Sequence, residues 1–348
     1  MSLARGLHDV LHCNAEQPMF QIEPTLDAGR PIGLSGGNEL PNRADAAAAG
    51  SLGKTLVTGG TAVIISTRGR PGIVNALLDE IARQSKAPEH TYVIGTRLED
   101  IPELNRSQER LTVQVGRTGL TLQRNDGLTL AGSRFSYIVF FDDDFVPSRF
   151  WLERMEAIFR SRPDIAGLTG TLLANGTTTA GVPLDVAQSM VRRRDSKPVH
   201  SGLLHERLAY GSNMGSNMAF RYSALRHASF DERLPLYAWL EDHDFRGQIE
   251  RHGPVVRADA LWGVHLGHKN GRMRGVTLGY SQTANALYLA KKGTVPKPYL
   301  AKLVSKNLLI NAARSEPFVD RRGRLLGNLI ALGDIIRGRI SPERVVKL

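Results

Sequence analysis

The hydrophobic pattern of the chain consists of short apolar runs and longer one-sided stripes. Four short runs have the length and the β-branched and aromatic content of strands: residues 61–66, 91–95, 111–115 and 137–141. The first and the last of them have the pattern of buried strands. Between the first two, apolar residues recur at helical spacing from Ile73 to Ile81, directly after Pro71. A strand, a helix and a strand in this order predict a parallel pair with a right-handed crossover. We therefore predict an α/β protein with a mixed, mainly parallel sheet flanked by helices.

The fourth run ends in three consecutive carboxylates, Asp142, Asp143 and Asp144. In open α/β sheets, ligands bind at the carboxyl ends of the strands. Three adjacent negative charges at the end of an apolar strand are costly unless a cation neutralises them. Because side chains alternate along an extended chain, Asp142 and Asp144 point the same way and Asp143 points elsewhere. The pattern favours a divalent metal shared by Asp142 and Asp144 over an acidic turn without a ligand.

Composition divides the chain into three parts. Residues 1–54 are rich in Gly, Ala, Pro and Asn without apolar periodicity, and we expect a mostly disordered N-terminal arm. Residues 55–290 are predicted to form the α/β domain that contains the acidic triplet, and residues 291–348 a basic, partly amphipathic C-terminal tail. The single cysteine, Cys13, cannot form an intrachain disulfide. With neither a membrane span nor the apolar core of a signal peptide in the sequence, we expect a cytoplasmic protein.

The formal net charge of +11 is concentrated at the C-terminus, where residues 291–348 contain 13 Lys or Arg and 4 Asp or Glu. A basic excess at one end favours a membrane surface or another anionic partner, and we expect no nucleic acid. Residues 321–340 place apolar residues at helical spacing among arginines, as in helices that lie on anionic lipid. On this interpretation, the tail is predicted to hold the protein peripherally on the inner face of the cell membrane. The alternative is a helix packed on the domain or between subunits.

The order of these parts resembles the family-2 glycosyltransferases, which have the GT-A fold and invert the anomeric centre. Six stretches carry the resemblance: residues 65–71, Gly119 to Gly127, 141–147, Gly215 to Arg221, Trp239 to Phe245, and Ala260 to His265. They cover roughly residues 60–275, and they are specific only in combination. The resemblance implies transfer of a sugar from a nucleotide-diphosphate sugar to a glycan or lipid-linked acceptor hydroxyl. Cell-surface polysaccharide or glycoconjugate synthesis is the expected setting.

The resemblance also implies roles for individual residues. Asp242 corresponds to the catalytic base, and Asp142, Asp144 and His265 to ligands of Mn²⁺ or Mg²⁺. The nucleotide sugar would contact the first turn and the acidic strand: Ser66, Thr67, Arg68, Arg70, Arg124, Asp142 and Asp143. A loop near the acceptor and donor would contain Gly215, Asn217, Met218 and Glu241. Asp244 lies two residues after Asp242 in the same acidic motif. A structural role, the capping of a helix, competes with a functional role for this residue.

One stretch departs from the family pattern. The family has an Asp for the uracil ring after the second strand, whereas this chain reads Gly95-Thr96-Arg97-Leu98-Glu99-Asp100. Glu99 or Asp100 could reach the base from a shifted loop. A UDP-sugar is the donor that the resemblance implies, and the missing Asp leaves the identity of the base open.

Two other functions fit parts of the pattern. Asp142 and Asp144 after an apolar strand also suit a haloacid-dehalogenase-type phosphatase with Asp142 as covalent nucleophile. In that family, however, the motif ends the first strand of the core, and here at least two strand–helix units precede it. The second alternative is a non-enzymatic binding module that uses the basic tail as its working surface.

Overall fold

The computed structural model describes residues 59–101, 109–198, 214–268, 273–314 and 317–348, and the backbone of 204–205. The predicted N-terminal arm lies outside the described residues.

Strands of the described residues form one mixed sheet. Its strands are β1 (Thr61–Ser66), β2 (His90–Gly95), β3 (Leu111–Val115), β4 (Tyr137–Asp142), β5 (Phe145–Pro147), β6 (Gly167–Asn175), β7 (Leu204–His205), β8 (Asn217–Arg221) and β9 (Val255–His265). Their order across the sheet is β3-β2-β1-β4-β8-β6-β9-β5, with β7 paired to β9. Strands β3, β2, β1 and β4 are parallel, and β8 pairs antiparallel with both β4 and β6. The sheet therefore contains the parallel unit that the sequence predicts.

Helices cover the sheet and extend beyond it. They are α1 (Pro71–Ala82), α2 (Leu120–Ala131), α3 (Trp151–Ser161), α4 (Leu184–Asp195), α5 (Tyr222–Leu225), α6 (Glu241–Ile249), α7 (Gly275–Lys292), α8 (Lys297–Ala313) and α9 (Arg321–Ile336). None of the helices in the described part of the chain is long and apolar enough to cross a membrane.

Side-chain alternation along the central strands creates two cores, one on each face of the sheet. On β1, Ala62 and Ile64 pack into one core, and Val63 and Ile65 pack into the other. The first core lies under α2 and α6, and the second lies under α1 and α3. A Cβ on Gly127 of α2 would come within 2.5 Å of Ile64 Cγ2, so glycine lets this helix approach the sheet. The strands predicted from the four short apolar runs are confirmed: β1, β2 and β4 are buried, whereas β3 lies partly exposed at the edge of the sheet.

The C-terminal helices share a third core with the segment that precedes α6. Leu234, Ala238 and Leu240 cluster with Leu289 of α7 and Leu300 of α8. The described part of residues 291–348 thus contributes to the packing around residue 240.

Candidate active site

The carboxyl ends of β1, β4 and β9 meet at one place. Ser66 and Asp142, the last residues of β1 and β4, are partners in the parallel register. His265 is the last residue of β9, and its register partner is Phe145 in β5. Phe145 follows Asp142 by only three positions in the sequence. The sheet itself therefore brings the acidic triplet and His265 together.

Asp142, Asp144 and His265 form a cluster that could hold a metal ion. Each offers one ligand atom, and the three atoms lie within 4.8 Å of one another. His265 Nε2 is 3.0 Å from Asp144 Oδ1 and 3.8 Å from Asp142 Oδ2. Two carboxylates and one imidazole form a donor set that suits Mn²⁺ or Mg²⁺.

The surroundings of this cluster fit a cation. Burial raises the pKa of Asp142, with the charge of Asp144 acting in the same direction. Burial opposes ionisation of Asp144 as well, yet hydrogen bonding and charge from His265, Arg70 and the His268 amide hold the pKa of Asp144 below its usual range. The amide N–H of His268 donates to Asp144 Oδ2 at 2.8 Å and so orients one candidate ligand. A divalent ion would relieve the charge repulsion within this cluster.

Asp143 points away from the cluster, as the alternation of side chains predicts. Its carboxylate accepts hydrogen bonds from Thr67 Oγ1 at 2.7 Å and from Arg70 Nη1 at 2.8 Å. Burial raises the pKa of Asp143 to about 7, although Arg70 opposes the shift. Asp143 therefore fixes the turn after β1, and Arg70 is held 3.5 Å from Asp144 as well.

Arg124 connects the acidic triplet to the second acidic motif. This arginine on α2 is 2% exposed, and it donates to Asp142 Oδ1 at 3.0 Å, to Glu241 Oε1 at 2.5 Å and to Gly215 O at 2.9 Å. Burial raises the pKa of Glu241 to about 8, with Arg124 opposing. A buried guanidinium needs hydrogen-bond acceptors and charge compensation, and carboxyl groups of both motifs accept its hydrogen bonds.

Asp242 lies at the opposite end of this network, on the first turn of α6. Its Oδ2 accepts from Gly215 N at 3.1 Å, and its Oδ1 accepts from His243 N at 2.9 Å. His243 Nδ1 also lies 2.9 Å from Oδ1. A carboxylate has about four acceptor positions, so these three contacts leave one for another hydroxyl. Burial alone would raise the pKa of Asp242, but His243 and Arg124 hold it below its usual range, so Asp242 is ionised at neutral pH.

His243 links Asp242 to the C-terminal helices. Its Nε2 lies 3.2 Å from the hydroxyl of Tyr299 on α8, and the two rings stack with centroids 5.6 Å apart. These partners favour the tautomer in which Nδ1–H donates to Asp242 and Nε2 accepts from Tyr299. The imidazole therefore orients the carboxylate, and Tyr299 orients the imidazole.

The segment before α6 is strained. Leu236, Ala238 and Leu240 all have positive φ, at 61°, 53° and 72°. For residues with a Cβ this conformation costs about 1–2 kcal/mol each, and such strain persists only where the surroundings impose it. Burial of Leu240 in the third core and a hydrogen bond from Asn285 Nδ2 to Trp239 O at 2.8 Å hold the turn. This turn places Asp242 toward Gly215.

Asp244 has a structural environment. Its side chain is fully buried and accepts from Thr294 Oγ1 at 2.5 Å, Lys292 Nζ at 2.8 Å and Gln248 Nε2 at 2.9 Å. It therefore ties α6 to the end of α7, which is a larger role than the helix cap considered from the sequence.

The residues expected to contact the nucleotide sugar or the acceptor differ in their burial and hydrogen bonding. The Oγ of Ser66 is buried and finds no hydrogen-bond partner among the described residues. Arg68 is exposed. Asn217 and Met218 belong to β8 and not to a loop: Asn217 accepts from Gly170 N at 2.7 Å, and Met218 lies in the core. The expectation of a loop there was wrong because these residues pair in register with β4.

The loop after β2 uses Asp100 internally. Asp100 is buried and accepts from Gly69 N at 2.6 Å and from the amide and hydroxyl of Thr96. It thereby connects the β2 loop to the turn after β1. Glu99 is exposed.

Sequence reasoning did not identify His243 and Tyr299 as functional candidates. The position of His243 between Asp242 and Asp244 was a signal that could have found it. Tyr299 carries no local signal, because its contact with His243 depends on how α8 packs.

Comparisons with known proteins establish the fold. No family model matches the chain, and no curated protein sequence matches it. Among solved structures, the chain is similar to S. aureus TarS 1–349 in complex with UDP-GlcNAc, at 14% identity over 82% of both chains with a TM-score of 0.50. A second structure, of S. aureus TarS 1–349, has 15% identity over 82% of both chains and a TM-score of 0.49.

The chain is also similar to the mannosyltransferase PcManGT from Pyrobaculum calidifontis in complex with GDP-Man and Mn²⁺. Identity is 14% over 79% of this chain and 87% of that one, with a TM-score of 0.45. At these identities the likeness concerns the fold alone. The mixed, mainly parallel sheet flanked by helices is the GT-A fold that the sequence predicts.

Proposed function

We propose that the chain is an inverting glycosyltransferase that moves a sugar from a nucleotide-diphosphate sugar to a hydroxyl of a glycan or lipid-linked acceptor. One observation carries the proposal: a path of three hydrogen bonds connects the metal-competent cluster to the ionised Asp242. Arg124 contacts Asp142 and the carbonyl of Gly215, and the amide of the same glycine donates to Asp242. A site with these two centres can stabilise a leaving diphosphate and deprotonate an acceptor.

The charges suit this division of work. Breaking the bond from the anomeric carbon to the diphosphate builds negative charge on phosphate. Asp142, Asp144 and His265 would hold a Mn²⁺ or Mg²⁺ ion, which supplies Lewis-acid stabilisation when bound. Arg70 stands beside this cluster with a guanidinium suited to phosphate. The orphaned Oγ of Ser66 supports a polar ligand at the end of β1.

Asp242 acts on the acceptor in this proposal. Its free acceptor position takes the hydroxyl hydrogen bond, and its low pKa keeps it ready to receive the proton. With the acceptor between Asp242 and the donor, a single displacement forms the new glycosidic bond while the bond to the diphosphate breaks. The proton of the hydroxyl passes to Asp242, and the anomeric centre inverts.

Neither competing function gains support from a specific contact. Asp142 ends the fourth strand of the sheet, and its Oδ1 is held by Arg124. A binding module would give no reason for the network between Asp142 and Asp242. UDP-sugars are the first donors to test. GDP-sugars are the matched alternative, because Asp100, a candidate partner of the uracil ring, already accepts hydrogen bonds from Gly69 and Thr96.

The test is a thermal-shift screen of UDP- and GDP-sugars with and without Mn²⁺, followed by NMR of the products. We expect one nucleotide sugar to raise the melting temperature, and to do so more with Mn²⁺. Release of phosphate from simple phosphoesters, with no response to any nucleotide sugar, would contradict the proposal and support a phosphatase.

A further inference from the structure

Helix α9 packs with its polarity reversed. The face toward α7 consists of small and polar residues, with Asn328 and Ala331 fully buried and Asp334 only 1% exposed. Asn328 Nδ2 donates to Gly279 O on α7 at 2.6 Å. The opposite face carries Leu326 at 52% and Leu329 at 53% exposure. In a helix that only packs on a domain, the leucines would occupy the buried face.

Glycines fix this orientation. A Cβ on Gly327 of α9 would lie 2.0 Å from Val276 O, and a Cβ on Gly279 of α7 would lie 2.0 Å from Arg324 O. The two backbones are therefore in direct contact, as in helix pairs that associate through small residues. No leucine fits between them. The apolar face of α9 points outward because the inner face has room only for small side chains.

Exposed apolar side chains concentrate in this region. Of the eleven large hydrophobic residues that are exposed in the described part of the chain, seven lie within residues 309–346: Leu309, Phe318, Leu326, Leu329, Ile335, Ile336 and Val346. Single exposed hydrophobics are ordinary, but a concentration of this kind marks an interaction surface.

Helices α8 and α9 are also cationic. Helices α8 and α9 contain six Lys or Arg residues and a single acid, Asp334. Asp334 is buried and pairs with Arg339 and Arg344, so it does not offset the charge of the outward faces. Lys302, Lys306 and Arg322 are exposed. Two such faces brought together would repel, which disfavours a second copy as the occupant.

We propose that the outward faces of α8 and α9 dock on an anionic lipid bilayer, with the leucines in the headgroup boundary and the basic side chains on lipid phosphates. The proposal rests on the glycosyltransferase function in one respect, because it selects a lipid-linked acceptor. Tyr299, which positions His243 beside Asp242, lies on the same helix as Leu309. Ten helical residues span about 15 Å. A lipid-anchored acceptor can therefore reach the base while its anchor stays in the bilayer.

Vesicle flotation tests the proposal with the full-length protein. Vesicles of phosphatidylcholine alone are compared with equal parts of phosphatidylcholine and phosphatidylglycerol, at low and high salt. We expect binding to the anionic vesicles only, weakened by salt. Leu326→Glu with Leu329→Glu should reduce binding more than about tenfold, because the apolar contact is replaced by charges that anionic lipid repels. Lys302→Gln, Lys306→Gln and Arg322→Gln should each reduce it about fivefold.

Matched controls lie on α4. Val186→Glu replaces another exposed hydrophobic residue, and Arg192→Gln with Arg193→Gln removes exposed basic residues elsewhere. These variants should float like the wild type. Circular dichroism melts should show that the Leu326 and Leu329 variant stays folded, since both positions face outward.

Three outcomes would overturn the proposal. Wild-type protein could remain unbound to anionic vesicles at low salt, or the leucine variant could float normally. Light scattering could instead show a dimer that the leucine variant converts to a monomer, which would assign the face to a second copy. Flotation needs neither donor nor acceptor, and the nucleotide-sugar thermal shift needs no vesicles. Failure of the membrane proposal is therefore distinguishable from failure of the proposed function.

Discussion

Arg124 donates a 2.5 Å hydrogen bond to Glu241, and the two residues are separated by 117 positions in the sequence. The same guanidinium holds Asp142 at 3.0 Å. One side chain on α2 thus sets the distance between the end of β4 and the start of α6. The site is organised around a buried cation that serves two acidic motifs.

Replacing Arg124 by Met should destabilise the protein by about 3–5 kcal/mol, because the buried carboxyl group of Glu241 and the partly buried carboxylate of Asp142 would lose their charged hydrogen-bond partner. Urea denaturation measures the change. The matched control is Arg117→Met. Arg117 also pairs with two acids, Asp126 and Glu232, but is 51% exposed, and its loss should cost no more than about 1 kcal/mol. Adding Glu241→Gln to Arg124→Met should restore part of the stability, whereas a further additive loss would contradict the role given to the pair.

Asp144→Asn should weaken Mn²⁺ binding at least about tenfold, because a charged oxygen ligand is removed from a three-residue cluster. Electron paramagnetic resonance of free Mn²⁺ gives the affinity without any substrate. Asp164→Asn removes an exposed acid and should leave the affinity unchanged. In the enzyme assay, EDTA should abolish turnover and added Mn²⁺ should restore it. Full activity in excess EDTA would disprove the metal dependence.

Asp242→Asn should lower kcat by about 10²–10⁴-fold, because the amide keeps the shape and removes the base. Donor binding, read by thermal shift, should change little. Asp244→Asn should show the opposite result: a stability loss of about 3 kcal/mol from the buried contact with Lys292, with a nearly normal rate. NMR of the product should show an inverted anomer. Retention of configuration, or an Asp242→Asn enzyme at the wild-type rate, would remove the mechanism.

His243→Phe should move the acid limb of the kcat/KM profile to higher pH. The imidazole lowers the pKa of Asp242 against the effect of burial, so its removal lets that pKa rise. A base is active only when ionised, and the rate is therefore lost at a higher pH than in the wild type. His243→Asn keeps a donor near the position of Nδ1 and should shift the limb less. Identical pH profiles for the wild type and both variants would show that His243 only fills space.

The strands and the acidic triplet could be predicted from the sequence because both signals are local. A run such as 137–141 indicates a buried strand by its apolar composition alone, and Asp142 follows it directly in the sequence. The position of β8 between β4 and β6 could not be predicted, because Asn217 to Arg221 reads equally well as a loop until its register with Tyr137 to Phe141 is known. Pairing partners are set by tertiary packing and leave no mark in a single strand.

In the C-terminal helices, too, local features could be predicted from the sequence and features set by tertiary packing could not. Their apolar and basic composition was readable, but which face of α9 turns inward was not. That choice depends on the contact of Gly327 with Val276 and on the hydrogen bond of Asn328 to Gly279. These contacts join residues about fifty positions apart. The boundary at residue 290 between the catalytic domain and the tail stays a prediction.

The core shared by Leu240 and Leu300 has a consequence for the order in which the protein acquires its structure during synthesis. A chain leaving the ribosome contains all nine strands of the sheet formed by the described residues once His265 has emerged. The left-handed turn at Leu236, Ala238 and Leu240 is unfavourable by itself, and its packing needs α8, which emerges later. Until then the turn before Asp242 lacks its packing partner Leu300, and Tyr299 is not there to support His243. A nascent chain should therefore acquire its sheet first and the geometry around Asp242 only after α8 has emerged.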